Sequence, residues 1–217
     1  NRFGYGCHAM SYHADSLWMT NHDYQQKLAQ ISIPELVKTL NYGELKSANL
    51  LQGPTDSLDE LLALNSQGWR IGGTLIYNDK LIQSVYLFYD ASYVATKSHF
   101  VSSTDLSVRG DITGPFTLNA PNPGFIGGYM GMIPEQWQNI MGIPCLSGQA
   151  TLSIIGRSSL GPSVFGFNPN EVGKLSVTPT IPYVYYPSSN PTLGTWNSGA
   201  PSGEYGPANP IYNMDTR

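Results

Sequence analysis

Short apolar stretches punctuated by turn-forming residues recur along the chain, and their length and alternation are those of strands rather than helices. Four such stretches follow one another three times. The first series is residues 4–10, 16–20, 28–34 and 48–52; the second is 71–77, 85–89, 99–103 and 115–119; the third is 126–131, 150–155, 164–167 and 182–186. Each series opens on glycine, at Gly4 and Gly6, at Gly72-Gly73 and at Gly127-Gly128. A residue without Cβ lets two backbones approach closely, so these strands are expected to be innermost. The third stretch of each series ends on an acid beside an apolar residue: Glu35-Leu36, Asp105-Leu106 and Glu171-Val172. These pairs fix the register between the series.

The pattern predicts an all-β chain, a β-propeller-like array of three four-stranded antiparallel blades that forms part of a larger ring or assembly. Residues 1–67 make the first blade with a long insertion, 68–122 the second and 123–187 the third with an insertion; 188–217 is a Pro/Gly-rich extended tail or the start of a next blade. The insertions are placed at 41–64 and 131–148. A β-sandwich is the alternative, since strand spacing alone resembles it. Helix is expected only at 57–64, with Ser57 as cap and Glu60 three residues on, and at 134–141. Ile31, Ile33, Val101, Ile154, Ile155, Phe165 and Phe167 occupy positions that should face adjacent sheets and be buried.

Several of these segments resemble a known group. Gly72-Gly73-Thr74-Leu75-Ile76-Tyr77, Phe88-Tyr89-Asp90-Ala91, Lys97-Ser98-His99-Phe100, Ile133-Pro134-Glu135-Gln136-Trp137-Gln138 and residues 157–167 are similar to segments of secreted bacterial β-propeller-like proteins to which no reaction is assigned. The resemblance runs over most of residues 4–187. It implies an exported, extracellular protein and a longer parent chain, and it carries over no site residue. The opening Asn1-Arg2-Phe3, with neither an initiator Met nor a signal-like apolar stretch, agrees with a processed or excerpted chain.

Composition narrows the partners. Charged residues are only 12% of the chain, about half the usual share, while Gly (23), Pro (16) and Tyr (14) are abundant, which favours strands and tight turns. A net charge of −4 supplies no basic stripe for phosphates, so nucleic acid is not an expected partner. No apolar run reaches the roughly 20 residues of a membrane-spanning helix. Glycans, proteins or further copies of the chain fit better. Cys7 and Cys145 lie outside any C-x-x-C pair and suit no zinc site. They could form one disulfide in an oxidising compartment, or remain two free thiols.

Candidate chemistry is sought where equivalent loops converge. The turn after the second strand is polar in each series: Asn21-His22-Asp23-Tyr24, Asp90-Ala91-Ser92-Tyr93 and Arg157-Ser158-Ser159. If the series are equivalent, His22, Asp23, Asp90, Arg157 and Ser158 share one end and offer acceptors, a guanidinium fork and aromatic surface to a sugar or protein ligand. Ordinary turn chemistry explains the same residues. No G-x-S-x-G elbow accompanies His22, Asp23 and Ser158, so no hydrolase triad is read from them. The aspartates are not spaced as an EF-hand, and the four histidines form no H-E-x-x-H. Ser103-Thr104-Asp105-Leu106-Ser107 lacks the Gly and Trp of a sialidase Asp-box and reads as a capped turn. No catalytic residue and no cofactor is assigned. An extracellular binding or structural propeller asks least of the sequence. The alternatives are a glycan hydrolase or lyase using Asp23 and Asp90, and a self-assembling surface or filament subunit, because three blades do not close a ring and leave strand edges to be covered.

Overall fold

A computed structural model of the chain describes residues 3–58, 68–90, 92–108, 110–150, 159 and 162–187. Among them the chain is mostly β, arranged as three sheets with no closed barrel. The first sheet is an antiparallel meander of β1 (Met10–His13), β2 (Ser16–Thr20), β3 (Leu28–Ser32) and β4 (Leu50–Thr55). The middle sheet is a second meander of β5 (Trp69–Tyr77), β6 (Lys80–Leu87), β7 (His99–Ser103) and β8 (Thr113–Leu118). The third comprises β9 (Met130–Met132), β10 (Cys145–Gly148), β11 (Val164–Phe167) and β13 (Thr180–Val184), with α1 (Glu135–Met141) between β9 and β10.

Local sequence explains the tight hairpins. β1 and β2 are joined by Ala14-Asp15, and β5 and β6 by Asn78-Asp79; all four residues have positive φ, between 46° and 57°. A two-residue turn with φ > 0 at both positions matches the right-handed twist of the strands it joins, and Asn and Asp tolerate that region at small cost.

The middle sheet is packed on both sides. Along β6 the odd residues face the first sheet and the even residues the third. Leu81 joins Trp18, Leu28, Ile76 and Leu106, whereas Ile82 joins Leu75, Leu118, Ile126, Met130, Cys145, Phe165 and Phe167. Gln83 donates to Ser57 Oγ at 2.8 Å on one side, and Ser84 Oγ donates to the Gly128 carbonyl at 2.9 Å on the other. This period-2 division is why seven consecutive residues of β6 are buried. Among the described residues no second sheet packs on the first. Its row Tyr12, Leu17, Ile31 and Leu50, set side by side by the register, is exposed or half-buried.

The glycine-bearing segments meet where the sheets abut. A Cβ on Gly72 would fall on the Gly127 carbonyl oxygen, and one on Gly127 would fall on that of Val85. Gly72-Gly73 and Gly127-Gly128 thus stand backbone to backbone, a contact open to no other residue type.

Several expectations are corrected. The first regular strand begins at Met10 rather than Gly4, because Tyr5 and Cys7 have positive φ and interrupt it, although Cys7 and Ala9 still bond to Thr20. The strand between β9 and β11 is Cys145–Gly148, inside the segment read as an insertion; of the expected strand at 150–155, residues 151–155 lie outside the described residues. The middle sheet has five strands, because β12 (Val177–Thr178) pairs in parallel with β8. Of the expected core, Phe165 and Phe167 are buried and Val101 packs against their cluster. Ile31 is only half-buried and Ile33 is exposed, since among the described residues no other sheet packs on their side of the first sheet. Ile154 and Ile155 lie outside the described residues. The helix expected at 134–141 is α1, whereas that at 57–64 lies outside them from residue 59 onward. Cys7 and Cys145 are both free thiols, Cys7 beside β2 and Cys145 inside the core between the middle and third sheets. The disulfide is therefore not formed, and burial pushes the Cys145 thiol up to about 12, keeping it protonated and unreactive.

Candidate binding face

The turn between β2 and β3 is built by its own polar side chains. Asn21 Oδ1 accepts from Lys27 N at 2.9 Å and its amide donates to Gln25 Oε1 at 2.5 Å, closing the loop across its base. His22 Nδ1 accepts from Tyr24 N at 3.3 Å. The turn is then tied to the middle sheet: Gln26 Oε1 accepts from Ile71 N at 2.6 Å, and the Asp23 carboxylate lies 3.3 Å from Arg70 Nε and 3.8 Å from His8 Nε2. The Arg70 guanidinium also sits 5.5 Å from the centroid of the Phe88 ring. One arginine at the start of β5 therefore joins the turn after β2 to the segment after β6.

Aromatic rings project from this end. Tyr5 and Tyr24 are 85% and 82% exposed and flank His22, with ring centroids 5.8 Å and 5.5 Å away. The His22 ring lies edge-on to Tyr5 at 74° and tilted by 33° to Tyr24. Three adjacent rings with wet faces, beside a carboxylate and a guanidinium, offer stacking and directional hydrogen bonds to one ligand.

Asp90 occupies the corresponding turn of the middle sheet but points inward. It is buried, with Oδ1 accepting from Val94 N and Oδ2 from Ala95 N, each at 2.9 Å. Its carboxylate organises the loop, as Asn21 does in the first sheet. That loop packs against Gly124 and Phe125, the latter with its ring 5.4 Å from Tyr93, and the Phe125 carbonyl accepts from Ala150 N just after β10. The turns after β2 and β6 and the segment after β10 thus lie at the same end of the three sheets.

The structure brings together His22 and Asp23 of the sequence-derived set. It places Asp90 nearby as a buried loop anchor. Arg157 and Ser158 lie outside the described residues; the adjacent Ser159 Oγ accepts from Tyr186 N at 3.1 Å. Sequence reasoning missed Arg70, His8 and Tyr5. The signal for Arg70 was available, since it is the one charged residue of an otherwise apolar, Gly-rich strand. Tryptophan rings can also stack on sugars; here Trp18 is buried between the first two sheets and Trp69 packs on the neighbouring cluster, while Trp137 is exposed on α1.

Asp105 behaves as a turn residue. Its Oδ1 accepts from both the amide and the hydroxyl of Ser107, at 2.9 and 2.6 Å, and these bonds hold its pKa below the usual carboxylate value. Among the described residues no group of three or more His, Cys, Asp or Glu is placed to hold a metal ion, and no helix is long and apolar enough to cross a membrane. No protein-family model matches the chain, and neither a curated protein nor a solved structure shows significant similarity to it.

Proposed function

We propose that the chain is an extracellular binding module of β-propeller-like architecture that recognises a glycan, or a glycan-bearing protein, at the end of the sheets carrying the turn after β2. The observation that carries the reading is the exposed group Tyr5, His22 and Tyr24 set beside the Asp23–Arg70 pair. Sugars present apolar C–H faces and equatorial hydroxyls. Flat rings bury the first, and a carboxylate with a guanidinium bonds the second. The propeller-like arrangement is supported by three successive antiparallel meanders, the glycine-bearing starts of the second and third of which abut, and export by the resemblance of the sequence.

Binding is favoured over glycan cleavage because both oxygens of Asp90 serve its own loop and Asp23 faces Arg70. A glycan array run alongside a hydrolase screen tests the reading. Tyr24→Ala should weaken the best ligand at least about tenfold, the loss of roughly one stacking contact of 1.4 kcal/mol. Arg157→Ala probes the contribution expected of the third turn. A glycan that binds equally well to Tyr5→Ala, Tyr24→Ala and Arg157→Ala, or that is cleaved, would remove the proposal.

A further inference from the structure

Two tyrosines each hold the third place of a tight turn at the end of the sheets that carries His22. Gly6 N donates to the Phe3 carbonyl at 3.2 Å over Gly4-Tyr5, and Gln25 N donates to the His22 carbonyl at 2.8 Å over Asp23-Tyr24. The two turns are locked to each other, because Gly6 forms a β-bridge with His22 and Cys7 N donates to the Thr20 carbonyl at 3.0 Å. Tyr5 takes its place at a cost. Its φ is 55°, a left-handed conformation that crowds Cβ against the following carbonyl and that glycine adopts freely. Tyr93, in the turn after β6, has a φ of 56°, but its ring packs 5.4 Å from that of buried Phe125, and packing offsets the strain. The Tyr5 ring is 85% exposed and offsets little in that way. A strained backbone that holds a bulky ring in water points to a use for the ring.

The row Tyr5–His22–Tyr24 has three properties that a ligand must match. Its rings follow one another at 5.8 and 5.5 Å, the spacing of successive units along a glycan chain. It is not flat: the His22 plane makes 74° with Tyr5 and 33° with Tyr24, so the two tyrosine rings are not parallel and cannot both lie on one planar surface. The charges beside it are already engaged. Arg70 Nε lies 3.3 Å from Asp23, its Nη1 donates to the Trp69 carbonyl at 3.0 Å, and its guanidinium sits over Phe88. Lys27 stands at the base of the loop, where its N–H and its carbonyl both bond to Asn21. A carboxylated or sulfated ligand would have to compete with Asp23 for the guanidinium.

We infer that this row binds a single, neutral glycan chain of two or more units, with Tyr5 and Tyr24 stacking on different units. The inference rests on the glycan-binding reading and adds the length, charge and physical form of the ligand. A twisted soluble chain turns an apolar face toward each ring in succession, which neither a lone monosaccharide nor a flat crystal face can do. The locked turns hold the rings in place before the ligand arrives, so little ordering entropy is lost on binding.

The test presents the full chain with an array of neutral, carboxylated and sulfated glycans of one to six units and with microcrystalline cellulose and chitin. The best soluble binder and its shorter homologues are then titrated in solution. Affinity should rise at least about tenfold from one unit to two or three. Tyr5→Gly should lose about that factor yet melt at or above the wild-type temperature, because glycine relieves the left-handed backbone. Tyr24→Ala should lose a similar factor. A chain that binds no glycan in any form removes the glycan-binding reading itself, and this inference with it. Four results leave that reading standing and overturn this one: a monosaccharide bound as tightly as its oligomers, a preference for acidic chains, retention on the crystalline polymers without binding to soluble chains, or a Tyr5→Gly variant that binds like wild type or melts below it.

Discussion

The first and middle sheets have the same four-stranded meander and differ in what covers them. β6 buries seven residues in a row because alternate side chains meet two different sheets, whereas β1 buries none of its four. Apolar content does not make this difference. Met10, Tyr12, Leu17, Met19 and Ile31 are as apolar as the residues of β6, yet they face outward. The strand pattern of a row of sheets specifies two faces per sheet, and only the neighbours decide whether both become core.

The largest expected effect sets two isoleucines against each other. Ile82→Ala empties a position enclosed by the middle and third sheets and should cost about 2–5 kcal/mol in denaturant unfolding. Ile31→Ala, in the isolated chain, removes a side chain that is already half in water and should cost less than about 1 kcal/mol. Equal losses would mean that the face of the first sheet is covered after all.

Glycines give a second contrast. Gly127→Ala drives a methyl group into the Val85 carbonyl at the junction of two sheets and should destabilise by about 1–3 kcal/mol. Gly131→Ala, four residues on in β9, meets no atom within 4 Å and should cost nothing measurable. Thermal unfolding of the two variants separates close approach from a general dislike of substitution in β9.

Buried His99 makes the middle sheet sensitive to acid. Its ring packs 5.6 Å from that of Phe167, Nδ1 is 2.9 Å from Ser98 Oγ, and burial lowers its pKa from 6.5 to about 3. The folded state thus keeps His99 neutral where the unfolded chain protonates it. Stability is full above pH 6.5 and falls as pH drops from 6.5 toward 3, by about 1.4 kcal/mol per unit within that window. Between pH 6.5 and 5 the loss should be about 2 kcal/mol, and His99→Gln, which cannot titrate, should flatten that part of the profile. An unchanged slope in His99→Gln would assign the acid sensitivity elsewhere.

What the sequence discloses follows the same division. β5 stands out as a β-rich run ending at Asn78-Asp79, and Phe165 and Phe167 declare themselves as core, whereas β6 was read only from Val85 although its strand begins at Lys80. β10 was hidden because Cys145-Leu146-Ser147-Gly148 is short and ends on residues that also make turns. The exposure of Ile33 was hidden for another reason: its pattern is that of a core residue, and nothing local says whether a neighbouring sheet packs on its side. At the candidate site, equivalence of turns located His22 and Asp23. It could not tell that Asp90 turns inward onto its own amides or that Arg70, distant in sequence, completes the cluster, because both depend on how two sheets meet.

The smallest expected effect concerns that meeting point. The Asp23–Arg70 pair joins the first sheet to the middle one at the turn end, with the two side chains 27% and 18% exposed. A pair so close to solvent is worth little more than a surface ion pair, and the Phe88 ring beneath the guanidinium adds a comparable amount. Arg70→Ala should therefore cost about 1 kcal/mol and Arg70→Lys, which keeps the charge and loses the planar contact, about half of that. A double-mutant cycle with Asp23→Asn isolates the ionic part, expected at about 0.5 kcal/mol and shrinking as salt is raised. A coupling of zero at low salt would mean that Gln26, through its bond to Ile71 N, holds the two sheets together at this end without help from the charges.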